Sequence, residues 1–463
     1  GAIDALSSLA HHRMGDGDAF ERLARHQARA KDVEGAIESG LHALGIFRNR
    51  RPDRARHLAE WLVTLAPDRD DLLALHADTL SLEGFGRAAT ALLAIAALES
   101  TSVEERRTRL SAAAERAEQE RRSDLAADLL ARAFDDDPGL EILHEPLAAV
   151  SAAGNTFEAH AVLLESIAVE SSHDRASRFL AAAEAFSRIP RQRRHAFELA
   201  THSLLEDPEL HGAHALLREL AESEAELEEA YRRAAERDRD RPRDELRKRL
   251  EAGDEDGIAA GLELSGLAAL AGDFAESCDA ALAVLELDSR HPLALARAER
   301  AARRLREPAR MERAFDAGLR ASPGTRERTR LLVHLAVLAS ARGDELTAVN
   351  RALEAIRVDP SSAEAYVLLT RRLELIPNEG LGGVVDRARA SLGDSAMLLR
   401  RAIDVATARG LDKLALRLRE ARAHMSDLAG DALRARLALA AFSHDPAAPR
   451  AAIREALEVP DVI

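Results

Sequence analysis

The sequence predicts an all-α chain: a right-handed solenoid of stacked antiparallel helix pairs, elongated along the stacking axis. Three observations predict it. Between Leu331 and Leu373 the apolar residues recur at the three-and-four spacing of a helix face over two helix-length stretches, and a third begins. Proline keeps a phase, since Pro67 to Pro138 is 71 residues and Pro138 to Pro208 is 70. The apolar fraction is 46% with only 3% aromatic, so the core is built from Ala and Leu, which lets helices pack closely.

In chain order, 2–14 and 18–30 read as the first helices, separated by Gly15-Asp16-Gly17, where glycine permits a turn and Asp18 can cap the next amides. Helices follow at 33–47, 54–65, 70–82, 86–98, 103–120, 125–134, 140–152, 156–169, 174–187 and 193–205, joined by short turns and with no strand signal. The pattern weakens after His214. From Glu222 to Asp256 charge becomes dense, with Pro242 interrupting it, and the stretch reads as a solvated helix or an irregular joint in preference to an Arg-rich docking site. A clear helix pair resumes at Gly257, with Gly272-Asp273-Phe274 at its turn; Pro292 and Pro323 punctuate the chain beyond it. In the stretch from Leu331, one helix carries Leu331, Leu332, Leu335, Leu338 and Ala339 and closes at Gly343-Asp344. The next carries Ala348, Ala352, Ala355 and Ile356 up to Asp359-Pro360, where proline stops propagation. After Pro360 the segment 378–383 reads as a glycine-rich turn, followed by helices at 395–408, 411–424, 427–442 and 449–457.

This organisation resembles the tetratricopeptide repeat, whose helix pair carries small residues where the backbones approach and ends in Asp-Pro. The places are held by Ala336, Ala339, Ala348, Ala355, Asp359 and Pro360, and by degraded copies at steps of about 34 residues. Those copies carry Ala55, Ala59 and Pro67; Ala77, Gly84, Ala89 and Ala96; Ala126, Ala133 and Pro138; Ala159; and Ala196, Ala200 and Pro208. The large aromatic early in the first helix is Tyr366 in one copy, but Leu73, Leu110 or His144 elsewhere. The resemblance implies a concave groove lined by first helices that takes an extended or helical peptide. Its carboxylate clamp uses asparagines, and this chain has only Asn49, Asn155, Asn350 and Asn378, none of them on a groove-facing surface, so that clamp is not expected.

Three regions are expected: repeats over 1–235, a charged joint or irregular helix over 236–256, and repeats over 257–463. Each repeat buries its core only against neighbours, so the 463 residues read as one array rather than several globular domains. A net charge of −15 without aromatic stacking residues argues against nucleic acid, because phosphate contacts need a concentrated positive face. No apolar run approaches the roughly 20 residues of a membrane span. Cys278 is the only cysteine, which excludes an internal disulfide framework and a cysteine zinc cluster; it leaves the compartment open, with the cytoplasm preferred over the periplasm. Lysine occurs only at Lys31, Lys248 and Lys413, an arginine bias attributed to a GC-rich coding background and hence to a bacterial source. The start at Gly1 leaves room for a signal peptide, anchor or catalytic domain outside this segment.

No hydrolase elbow, zinc-protease helix or Walker loop is present, and neither catalysis nor a cofactor is expected. His211 and His214 lie one helical turn apart but lack a third convergent ligand, so no metal is assigned to them. Asp254, Asp256, Gly257 and Glu263 match the later spacings of a calcium loop, yet Ala252 replaces its first carboxylate. Asp135-Asp136-Asp137 reads as helix-end solvation. What remains is surface recognition: a noncatalytic protein–protein interaction scaffold or adaptor, part of a larger protein or assembly. The alternatives are a regulatory or substrate-recruiting arm of an enzyme and a homo-oligomeric structural subunit. Arg297, Arg300 and Arg304 lie at helical spacing, and the corresponding helices of later repeats bring Arg330 and Arg371. Together they are expected to form a basic strip that recruits an acidic protein or peptide segment through forked hydrogen bonds.

Overall fold

The computed structural model describes residues 15–67, 69–100, 102–190, 192–223, 243–253, 255–321 and 324–425, together with residues 7, 8 and 12. In chain order the helices are α1 Gly17–Arg29, α2 Val33–Arg50, α3 Pro52–Leu65, α4 Asp70–Leu82, α5 Gly86–Glu99, α6 Val103–Gln119, α7 Ser123–Asp136, α8 His144–Gly154, α9 Phe157–Glu170, α10 Arg175–Ser187, α11 Arg193–Glu206 and α12 His211–Ser223. They continue as α13 Arg243–Ala252, α14 Glu255–Leu270, α15 Phe274–Leu287, α16 Pro292–Leu305, α17 Pro308–Arg320, α18 Thr325–Ala341, α19 Glu345–Val358, α20 Ala363–Thr370, α21 Asn378–Leu392, α22 Ala396–Ala408 and α23 Asp412–Met425. Among the described residues there is no strand. The predicted helices 427–442 and 449–457, most of 2–14, residues 224–242, Asp254 and Pro323 lie outside the described residues.

Two kinds of turn, each legible in the residues that form it, produce the helix pairs. In the first, one residue after the helix enters the left-handed region: Lys31 (φ 66°), Gly84 (84°), Arg121 (58°), Gly272 (75°), Gly343 (78°) and Gly410 (67°). At five of these turns the following amide reaches back to a carbonyl five positions earlier, from Asp32 to Gln27, Phe85 to Leu80, Arg122 to Ala117, Asp273 to Ala268 and Leu411 to Ala406, at 2.8–3.0 Å. These bonds satisfy helix-end carbonyls, and glycine favours the geometry because it has no Cβ to clash. Asp32, Asp273 and Asp344 then cap the next helix, accepting from the amides of Gly35, Glu276 and Thr347 at 3.0, 3.1 and 3.1 Å.

The second turn is made by aspartate. Asp207, Asp288 and Asp359 each accept, on the side chain, the amide two residues on, at 3.0, 3.1 and 2.9 Å. Their main-chain carbonyls take the amides of Leu210, His291 and Ser362. Ser289 stands where Pro208 and Pro360 stand in the other two, with the turn intact, so the aspartate makes the turn and proline merely fits it. Six residues after each proline a side chain returns to the proline carbonyl: His144 Nε2 to Pro138 at 2.9 Å, His214 Nε2 to Pro208 at 2.9 Å, and the Tyr366 hydroxyl to Pro360 at 3.0 Å. The aromatic place of the repeat is therefore also a donor place, which accounts for histidine replacing tyrosine there.

The chain is a tetratricopeptide-type α-solenoid in its local construction. Ala55, Ala59, Ala77, Ala89, Ala126, Ala133, Ala196, Ala200, Ala336, Ala339, Ala348 and Ala355 are all buried; Ala159 is half-buried. Gly84 is not a packing contact but the left-handed residue of a turn. Residues 378–383 are not a turn either: they begin α21, and Gly382 is small because a Cβ there would lie 3.2 Å from Leu414 of α23. The chain divides into two compact units, one of Gly1–Ala96 with Gly343–Ile463 and one of Ala97–Arg342. The charged stretch at 236–256 lies inside the second of these units, and its described residues include the helix α13.

Candidate functional site: a buried ion-pair core and a clamped loop

In the unit of Ala97–Arg342, α16 packs on α7 and α9, helices more than a hundred residues earlier. Four of the five predicted arginines fall in this unit, and the acids they meet belong to the chain itself. Arg297 is fully buried 3.4 Å from Glu165 of α9, with Phe186 beneath it at 5.3 Å. Arg300 pairs with Asp135 of α7 at 2.5 Å, donates to Ser166 at 3.1 Å and lies over Phe134 at 4.7 Å. Arg304 pairs with Glu170 and covers Phe274. Arg330, on α18, meets Asp128 and Glu299, both at 3.0 Å, and also Glu327. The fifth, Arg371, follows α20 in the other unit and is half-buried; burial, with Arg372 nearby, lowers its pKa to about 10. Four of the five arginines expected to recruit an outside acid thus have their carboxylates supplied from within. For Arg297, Arg300 and Arg304 the reason is that the α16 face carrying them packs against α7 and α9 instead of facing solvent.

Asp128 is the centre of this core. Arg132 lies 3.2 Å away, Arg303 3.1 Å, Arg330 3.0 Å and His334 Nε2 3.3 Å. Burial opposes its ionisation, but the surrounding cations outweigh burial and hold the carboxyl well below the usual range. Burial pushes His334 well down, and Arg132, donating to its Nδ1 at 2.6 Å, adds to this, so the ring is neutral. A second cluster joins α9, α11 and α16. His195 Nε2 lies 2.8 Å from Glu165, and although burial disfavours its cation, the carboxylate outweighs burial and raises its pKa. Asp136 and Asp137, expected as solvated, pair with Arg106 at 2.7 Å and Arg107 at 2.9 Å. His211 Nδ1 engages the Glu209 carbonyl, and α14 runs as one helix through Asp256 and Glu263, the latter 3.4 Å from Arg194. Among the described residues no group of three or more His, Cys, Asp and Glu is placed to hold a metal, and no helix is long and apolar enough to cross a membrane.

Within the other unit, α3 and the turn after α4 hold the loop between α21 and α22. Arg56 is buried; its Nε donates to Glu83 at 2.6 Å, its Nη1 donates to the backbone carbonyl of Asp394, and its Nη2 donates to His57 Nε2 at 3.3 Å. Ser395 donates its hydroxyl to Glu60 and accepts the Leu398 amide at 2.9 Å, capping α22. Gly393, at φ 84° and ψ 164°, lies against the Phe85 ring, where a Cβ would sit 3.1 Å away. Sequence reasoning missed these residues. The only available signal was an arginine on the apolar face of α3, between Ala55 and Ala59 and buried with them.

No protein-family description and no curated protein matches the chain. Solved structures that it resembles include a complex of Naa15/Naa10 bound to HypK-THB, at TM-score 0.27 and 16% identity over 98% of this chain and 76% of that one. Others are the APC/C hetero-tetramer Cut9-Hcn1, at 0.20 and 13% over 98% of both chains, and yeast Tom70, at 0.21 and 14% over 96% and 97%. At these overlaps none of them bears on what this chain binds.

Proposed function

We propose that the chain is a noncatalytic protein-interaction scaffold. The observation that carries this reading is the repetition of helix pairs by the same two turns, each pair burying its small residues against its neighbours, because such stacks offer extended surfaces for a partner chain. Support also comes from the use made of the groups best suited to acid–base work. Asp128, Glu165, His195 and His334 are all engaged in buried contacts between helices. An acidic partner forms no part of this proposal, since four of the five arginines that would have called for one meet Glu165, Asp135, Glu170 and Asp128. The test is purification of the tagged chain from its native cells with mass spectrometry, then reconstitution with the purified candidate. A partner that re-forms a stoichiometric complex is expected; the absence of any such partner overturns the reading.

A further inference from the structure

The loop Gly393–Ser395 is held in the way a peptide is held. The contacts made to it are to its backbone and to one small hydroxyl: Arg56 to the Asp394 carbonyl, Glu60 to the Ser395 hydroxyl, and the Phe85 ring against Gly393. The Asp394 side chain takes no part in this, since it turns back to Arg389 at 2.6 Å. Asp394 is 338 residues from Arg56, so the contact is not a product of local chain geometry. Ser395 has extended dihedrals (φ −124°, ψ 120°), and Gly393 occupies a region open only to glycine.

We propose that α3 with the Glu83–Phe85 turn is a binding site for an extended Gly-x-Ser peptide, occupied here in cis by the chain's own residues 393–395. The partner it fits in trans has the same chemistry. A glycine lies flat on the Phe85 ring, any residue follows whose carbonyl Arg56 can reach, and then comes a serine whose hydroxyl meets Glu60. Glu83 fixes the Arg56 fork, which leaves Nη1 directed at the peptide carbonyl. His57 adds a condition: its Nε2 accepts from Arg56, so the ring is unprotonated when the site is assembled. Burial, with Arg56 adding to it, lowers the His57 pKa and outweighs the Asp394 backbone, Glu83 and Asp53, which raise it.

This assignment rests on the scaffold reading and names one site for it. The probe is a fluorescein-labelled peptide copied from residues 390–397, added to the full chain and followed by anisotropy. Gly393→Val should force the resident loop off the ring, since its backbone conformation excludes a side chain, and the peptide should then bind at least tenfold more tightly than to the unaltered chain. Adding Arg56→Ala to that variant should weaken binding at least tenfold, and a probe with Gly→Val and Ser→Ala should not bind. Equal affinity for both probes, no gain with Gly393→Val, or indifference to Arg56→Ala each overturns the site. Should Gly393→Val lose helicity by circular dichroism, Ser395→Ala, which removes the contact to Glu60 together with the α22 cap, takes its place and the same comparison decides. If the purified native partner binds the chain while the peptide does not, this site falls and the scaffold reading stands.

Discussion

The ion-pair core around Asp128 and the seam around Arg56 both join segments far apart in the chain, yet they are built on opposite plans. At Asp128, side chain meets side chain. Four cationic or imidazole groups from α7, α16 and α18 converge on one buried carboxylate that carries the interaction. At Arg56, side chains reach a backbone carbonyl, a hydroxyl and a glycine, groups that any suitable peptide could offer. The first arrangement depends on which helix packs on which, whereas the second depends only on a short extended segment being present. This is why the core reads as internal architecture and the seam as a site.

The largest expected effect comes from the buried carboxylate. Asp128→Asn leaves Arg132, Arg303 and Arg330 without their shared counter-charge, and stranding buried charges costs about 3 to 5 kcal/mol. Urea unfolding followed by circular dichroism should register that loss. Glu60→Gln, at the seam, exchanges one acceptor for another at a half-buried position and should cost less than about 1 kcal/mol. If the two substitutions cost the same, the contrast between the two regions is lost.

The two regions should also differ in their response to acid. At the seam, burial first, and Arg56 after it, lowers both His57 and His76, the latter to about 3. Their neutral rings stabilise the folded form fully above the unfolded pKa of about 6.5, and that contribution is lost as pH falls toward the folded value. Burial raises Glu60, which acts in the opposite sense above about 4.5, so the seam's loss should be steepest just below pH 6.5. In the core His334 has the sign of His57, but His195 is raised, and its contribution is complete below about 6.5 and lost as pH rises. Between pH 7 and 5 hydrogen-exchange protection, taken relative to the intrinsic rate at each pH, should therefore fall at residues 392–396 while α16 stays protected. His57→Gln should flatten the seam's response. Protection that falls equally in α16 and in the loop would erase the distinction.

The local fold was legible because its determinants are local. Gly272-Asp273, Gly343-Asp344 and Asp359-Pro360 write their turns within two residues, and the buried alanines keep the repeat phase. The partners of the arginines were not legible. Helical spacing placed Arg297, Arg300 and Arg304 on one face, but nothing in a single sequence states that α7 and α9 return to cover that face. The same lack of long-range information made Asp135–Asp137 read as solvated, though Asp135 is buried against Arg300. It also hid Arg56, whose loop partner is 338 residues away. The glycines at 380–383 misled for a different reason: glycine serves close helix approach as well as turns, and Gly382 does so against Leu414.

The smallest effect tests whether the two units share one repeat device. Tyr366, in the unit that holds the seam, and His144, in the unit that holds the core, both return a donor to the proline carbonyl six residues back. Tyr366→Phe keeps the buried ring and removes only the hydroxyl, so the loss should be that of one hydrogen bond, about 0.5 to 1.5 kcal/mol. His144→Phe removes the corresponding bond and more, because its Nδ1 also accepts from Arg178 at 2.6 Å and meets the Ser171 hydroxyl at 3.1 Å. It should therefore cost more than Tyr366→Phe, and Arg178→Met in the His144→Phe background should recover part of the difference by removing the donor left without an acceptor. Equal losses for the two ring substitutions would mean that His144 serves only the proline turn. A Tyr366→Phe chain that melts with the parent would mean that water replaces the hydroxyl at Pro360 and that the aromatic place acts through packing alone.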